Sequence, residues 1–304
     1  MTAPSWQSRL LAQVLTLTAR PLGAHVPLTA TTLPWIRRAI DRAAAGTGRL
    51  PRGTTWEPVV LPGCRAELVR APAAAAAAPV VLYLHGGGFI AGSARAWRPF
   101  VAALSAHIGL PVLSVDYRLV PEHTIGDAIE DALDAYRWLV DRDFPGPGIV
   151  LAGDSAGGGL TFAVATRLRA EGRPGPGGIA VISPWADLDP GSRAPVPDPF
   201  LTANCIARVT RLCTADGLML PPPADTDLRG LPPTLIITGE HDFLRHDSEL
   251  LARLLGDAGV RVELASWPGQ SHAFPLARGL PEASAALRRL AHFVKALPPP
   301  QAVQ

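Results

Sequence analysis

A chain of 304 residues, 48% apolar and 18% charged, has the material for a sizeable buried core, which excludes disorder along its whole length. Its 28 basic residues stand against 26 acidic ones, and a net charge of +2 gives no electrostatic reason to expect nucleic acid as a partner. The N-terminus carries no basic segment leading into a long apolar run, and no stretch reaches the roughly 18 uninterrupted apolar residues of a membrane span. Cys64, Cys205 and Cys213 are odd in number and lack metal-ligand spacing, so a reduced, cytoplasmic setting is expected. On one helix, Cys205 and Cys213 would lie about 12 Å apart, too far for a disulfide.

Residues 1 to about 46 are expected to be helical, first through Leu10, Leu11, Val14, Leu15 and Leu17, then over Leu33 to Ala44. From pattern alone this segment is either a lid or a packing appendage. Thr55 to Val60 and Arg65 to Val69 read as a hairpin turned at Pro62-Gly63, and the alanine run 73–78 as a loop. Short apolar segments follow at Val80 to Leu84, Pro111 to Val115, Ile149 to Ala152, Ile179 to Ser183, Leu235 to Thr238 and Val260 to Ala265. Helical stretches separate most of them, at Trp97 to His107, Ile125 to Val140, Gly157 to Ala170 and Arg245 to Gly256. That alternation predicts an α/β fold with a mostly parallel sheet and helices on both faces. The alternation breaks between Asp187 and Leu231, a proline-rich insertion with one expected helix, Ala203 to Cys213. A last helix from Pro281 should end at the prolines 298–300.

The chemistry-bearing signal is Gly153-Asp154-Ser155-Ala156-Gly157, between an apolar strand and a helix. A strand-turn-helix of this kind strains the serine backbone and stands its hydroxyl clear at the carboxyl edge of the sheet. His85-Gly86-Gly87-Gly88-Phe89 follows an earlier strand, and consecutive glycines allow backbone amides to point into a cavity. The N–H groups of Gly87, Gly88 and Ala156 are therefore expected to form an oxyanion hole, with His85 holding the loop. A nucleophilic serine needs a base, and the base an orienting acid. His272, just beyond the last strand, is the expected base over His241, His246 and His292. Asp242, at the end of the Leu235 strand, is the expected acid over Glu240 and Asp247. No dinucleotide fingerprint, phosphate loop or metal-ligand spacing is present, so neither cofactor nor metal is expected.

With these residues identified, the chain resembles the bacterial members of the hormone-sensitive lipase family of α/β-hydrolases. His85-Gly86-Gly87-Gly88-Phe89 is similar to its oxyanion loop and Gly153-Asp154-Ser155-Ala156-Gly157-Gly158 to its nucleophile motif. Asp116-Tyr117-Arg118-Leu119-Val120-Pro121-Glu122-His123, Ser183-Pro184-Trp185-Ala186-Asp187-Leu188, Gly239-Glu240-His241-Asp242 and Ser271-His272-Ala273-Phe274 match in order. Departures are Ile125-Gly126 where the family has Phe-Pro, and Phe243 and His246 where it has a proline and an acidic residue. The resemblance implies an eight-stranded α/β-hydrolase core over residues 47–304, with residues 1–46 and an insertion at 189–224 as a helical cap. It also implies hydrolysis of short to medium acyl esters, and a possible homodimer through Val260 to Leu297. An amidase or deacylase would use the same triad. A noncatalytic small-ligand-binding protein of this fold, like the plant hormone receptors, would lack a working histidine. No long exposed apolar helix is read from the sequence, which disfavours an interfacial lipase.

Overall fold

The computed structural model describes residues 3–72, 74, 79–142, 144–189, 196–215, 217 and 220–298. Most of the expected alanine loop at 73–78, and the prolines 299 and 300, lie outside the described residues.

Eight strands form one sheet: β1 (Thr55–Val60), β2 (Arg65–Arg70), β3 (Val80–Leu84), β4 (Val112–Asp116), β5 (Ile149–Asp154), β6 (Gly178–Ile182), β7 (Thr234–His241) and β8 (Val262–Ser271). Their order is β1-β2-β4-β3-β5-β6-β7-β8. The expected hairpin pairs β1 with β2, β2 runs antiparallel to β4, and every later pairing is parallel. Parallel strands covered on both faces must be apolar on both, and β3 is wholly buried. Leu82 and Leu84 enter one core and Val81 and Tyr83 the other, as the two-residue strand period requires.

Helices α4 (Ala94–Ile108) and α9 (Pro281–Lys295) cover one face, and α5 (Ile125–Val140), α6 (Ala156–Ala170) and α8 (Arg245–Asp257) the other. Their starts are written locally. Thr124 and Asp127 form a reciprocal capping box on α5. Ser93 caps the Ala96 N–H, which starts α4 three residues ahead of the expected Trp97.

The N-terminal segment differs from the expected two helices by containing three, α1 (Trp6–Leu17), α2 (Ala19–His25) and α3 (Leu33–Ala45). The insertion carries the expected helix as α7 (Ala203–Cys213), capped by the Thr202 hydroxyl on the Cys205 N–H. Strand β8 also corrects the sequence reading, since it continues past Ala265 through Pro268-Gly269 to Ser271. As an edge strand it tolerates a residue with no N–H to donate. A bulge absorbs the change: Gly239 pairs with Trp267, but His241 with Ser271.

Candidate active site

Strand β5 ends at Asp154, and Ser155 makes the turn into α6 with φ 52° and ψ −120°. Such a backbone is costly for serine and persists only where its surroundings over-determine it. Here they do: the Ser155 N–H donates to the Ile182 carbonyl at 2.9 Å, and the Ser155 carbonyl accepts from the N–H groups of Gly159 and Trp185. The first turn of α6 presses on the preceding strand so closely that a Cβ on Gly157 would lie 2.0 Å from the Leu84 carbonyl oxygen. That contact is why the motif requires glycine after Ala156.

Ser155, His272 and Asp242 come together although the last two lie 117 and 87 positions downstream of the first. The Ser155 hydroxyl is 2.9 Å from His272 Nε2, and His272 Nδ1 is 2.9 Å from Asp242 Oδ1. Asp242 is fully buried; it also accepts from the Leu244 N–H at 2.9 Å and the Thr238 hydroxyl at 3.2 Å. With a carboxylate at Nδ1, the proton sits there and Nε2 is left to accept from serine. Burial works against charge on His272, but the Asp242 carboxylate outweighs it by charge and hydrogen bond and holds the imidazole above its ordinary value. Burial likewise opposes charge on Asp242, and the same partner, with hydrogen bonds from Ser183 and Leu244, keeps its carboxyl below the usual range. Ser183 joins the two loops, reaching Asp242 while accepting from the Ala273 N–H at 3.0 Å.

The competing residues have other duties. Glu240 is exposed and accepts from the Gly269 N–H, and Asp247 on α8 accepts from the N–H groups of Ala186 and Asp187. His241 and His292 are exposed and His246 is half-buried, and among the described residues none of them is hydrogen-bonded to Ser155.

The glycine loop after β3 stands over the same edge. Gly87 and Gly88 have φ values of 113° and 65°, and a Cβ on Gly87 would lie 2.1 Å from the Ala91 carbonyl oxygen. His85 is buried beneath the loop, stacked on Tyr117 at 4.3 Å, with Nδ1 2.7 Å from the Gly86 carbonyl. It is a structural residue, as its sequence position suggests. Arg37 of α3 clamps the loop from above, donating to the Ile90 and Val120 carbonyls and to both oxygens of Glu122.

Two carboxylates that sequence reasoning gave no role support this arrangement. Asp154 is buried beside Ser155, and its Oδ1 accepts from the Tyr83 hydroxyl at 2.7 Å, the Gly86 N–H at 2.9 Å and Trp97 Nε1 at 3.0 Å. Burial pushes its pKa up to about 6 against those donors. A folded value above the ordinary 3.8 means that its contribution to stability is fully present at low pH and is lost as pH rises through about 6. Asp154→Asn, which keeps an acceptor oxygen but no charge, is expected to gain stability relative to wild type between pH 5 and pH 8. Asp154→Ala, which orphans three donors, should lose about 1–3 kcal/mol at pH 5 and less at pH 8, where the ionised wild-type carboxylate has lost its own contribution. Urea midpoints at the two pH values check both.

The second carboxylate, Asp198, lies in the insertion. It is buried, with Oδ1 accepting from the N–H groups of Phe200 and Leu201 and Oδ2 from that of Phe243, the residue after Asp242. It thereby fastens the insertion to the acid loop and sets the Phe200 ring against the His272 imidazole, 6.3 Å between centroids. Its charge also favours a protonated His272. Asp198→Asn should therefore move the acid limb of kcat/KM to lower pH and reduce the plateau by about 10-fold or more through misplacement of the loop. A pH–rate profile of the variant measures both. The signal that could have found Asp198 is its place four residues before the Thr202 cap of α7, as the one charged residue between Ala194 and Ala207.

Among the described residues no group of three or more His, Cys, Asp or Glu side chains is placed to hold a metal, and no helix is long and apolar enough to cross a membrane.

A mostly parallel eight-stranded sheet, a serine on a strained strand-helix turn and a histidine–carboxylate pair at the same edge are the features of an α/β-hydrolase. The family model described as alpha/beta hydrolase fold matches residues 81–276. The carboxylesterase/phospholipase LipF of Mycobacterium tuberculosis is 39% identical over 97% of this chain and 83% of its own. The esterase LipU of the same organism is 39% identical over 90% of this chain and 96% of its own. Among solved structures, an esterase/lipase from an uncultured bacterium superposes with a TM-score of 0.86 at 34% identity, covering 96% of this chain and 98% of that one. An esterase from the bacterial hormone-sensitive lipase family gives 0.86 at 30% identity, covering 97% and 99%. The chain belongs to the bacterial hormone-sensitive lipase family of α/β-hydrolases. With such relatives it is an ester-cleaving enzyme of the serine-hydrolase type.

Proposed function

We propose that this enzyme is a carboxylesterase acting on short to medium acyl esters, with Ser155 as nucleophile, His272 as base and Asp242 as its orienting acid. The observation that carries the reading is the unbroken hydrogen-bonded chain from Ser155 Oγ through His272 to buried Asp242, at 2.9 Å for each link. Ser155 Oγ attacks the ester carbonyl carbon as its proton passes to His272 Nε2. The carbonyl oxygen becomes anionic and is met by the N–H groups of Gly87, Gly88 and Ala156. Collapse breaks the bond to the alkoxy group, which leaves as the alcohol with the proton from His272. Water then attacks the acyl-enzyme with its proton passing to His272; the acid departs and the proton returns to Ser155. Asp242 stays ionised throughout and keeps His272 in one tautomer. Neither cofactor nor metal enters this cycle.

In this reading residues 1–46 and 189–224 together form the cap of a core spanning 47–304. Support comes from the packing of Gly23 of α2 against Cys205 of α7 and from the hydrogen bond of Arg208 to the Gly23 carbonyl. The insertion reaches the oxyanion loop as well, with the Cys213 thiol 3.4 Å from the Gly88 carbonyl. A cytoplasmic setting fits three cysteines that form no disulfide among the described residues. A homodimer through the β8 edge and α9 fits the exposed Leu264 on that edge.

Hydrolysis of p-nitrophenyl esters with acyl chains of two to twelve carbons tests the substrate class. Turnover is expected to peak below ten carbons; an optimum at ten or twelve would overturn the short-to-medium assignment.

A further inference from the structure

The N-terminal helix turns its apolar side outward. In α1, Trp6, Leu10, Val14 and Leu17 fall within about 80° of the circumference at roughly 100° per residue. These residues are 64%, 51%, 47% and 79% exposed. Ser8, the buried residue of this helix, projects from the opposite side. There the Ser5 and Ser8 hydroxyls bind Glu282, and Ser8 also reaches the Gln270 side chain. Polar contacts therefore hold α1 to the body while its apolar stripe meets solvent, the reverse of an ordinary surface helix. The periodicity legible in sequence could not tell which side would be covered.

Charge says what could cover it. The first 40 residues contain Arg9, Arg20, Arg37 and Arg38 and no aspartate or glutamate. Arg37 is committed to Glu122, whereas Arg9, Arg20 and Arg38 are exposed and, among the described residues, pair with no carboxylate. Arg9 borders the stripe. Tryptophan and aliphatic side chains on one side of a helix, flanked by arginine in an acid-free segment, suit a helix lying in the boundary of an anionic lipid layer. A second copy seated on the same stripe would oppose one acid-free basic segment with another, a like-charge contact.

We propose that α1 docks the protein, apolar stripe inward, on an anionic lipid surface. Gln270, to which Ser8 is bonded, lies two residues before His272, so docking would place the loop of the expected base behind α1, about one helix diameter (~10 Å) from the lipid. This goes beyond the ester chemistry and does not depend on it.

The test is flotation of the full chain with vesicles of phosphatidylglycerol and phosphatidylcholine in equal parts, against phosphatidylcholine alone. Leu10→Ser/Leu17→Ser and Arg9→Gln/Arg20→Gln double variants run alongside. Binding to the anionic vesicles is expected to exceed binding to the neutral ones about 10-fold, and to fall about 10-fold in either variant and at high salt. Circular dichroism and vesicle-free turnover of p-nitrophenyl butyrate should match wild type in both variants, which separates lost docking from lost folding. The proposal is overturned if folded wild-type protein stays with neither vesicle, or if the stripe variant floats like wild type. It is equally overturned if the stripe proves to be the interface of a stable dimer, which Leu10→Ser/Leu17→Ser would split in light scattering.

Discussion

Ser155→Ala is expected to reduce kcat on every ester by about 10^4-fold or more, with the fold intact. The variant removes one oxygen from a residue whose side chain, among the described residues, makes a single hydrogen bond, to His272 Nε2. Alanine is no more strained than serine at φ 52°, and the backbone bonds that hold the turn, to Ile182, Gly159 and Trp185, do not involve the side chain. Denaturant midpoints should therefore coincide. What survives is the slow reaction that the oxyanion amides and binding support without a nucleophile. Steady-state rates with unfolding curves for both proteins measure the separation of activity from stability.

Asp242→Asn is expected to cost about 10^4-fold in kcat with a much smaller change in KM. The carboxylate is fully buried, and one of its oxygens serves both His272 Nδ1 and the Leu244 N–H while the other accepts from Thr238. An asparagine amide placed toward His272 would donate where the imidazole also donates, favouring the tautomer with its proton on Nε2 and leaving no base for Ser155. The pH dependence has a definite sign. In wild type the Asp242 charge holds His272 above its ordinary 6.5, so activity should fall as pH drops through a value above 6.5. In the variant burial acts unopposed by that charge, and the residual activity should show its acid limb at lower pH. Profiles of kcat/KM for the two proteins test the direction.

The core and the candidate site residues were legible because each is written in a short local pattern. Alternating apolar runs and helices specified the parallel sheet, and Ser155 was marked by small residues that a close strand-helix contact demands. His272 and Asp242 could be chosen because strand ends of a parallel sheet share one edge; Glu240 was left as a loop support and Asp247 fell within the helix that follows. Less was legible where long-range contacts decide. Pro268-Gly269 looked like a strand end, yet an edge position and a bulge carry β8 through them. Asp154 and Asp198 could be assigned no task, since their partners Tyr83, Trp97 and Phe243 are distant in sequence. The orientation of α1 was equally hidden, because it depends on Ser5 and Ser8 meeting Glu282 some 270 positions away.

The central claim is a covalent acyl group on Ser155, and its most direct measurement is rapid mixing with p-nitrophenyl butyrate followed by acid quench and peptide mass spectrometry. A butyryl mass increase on the peptide containing Ser155, rising with an initial release of p-nitrophenolate and absent in Ser155→Ala, is the expected result. Acylation at another residue, or an equal initial release from the alanine variant, would contradict it.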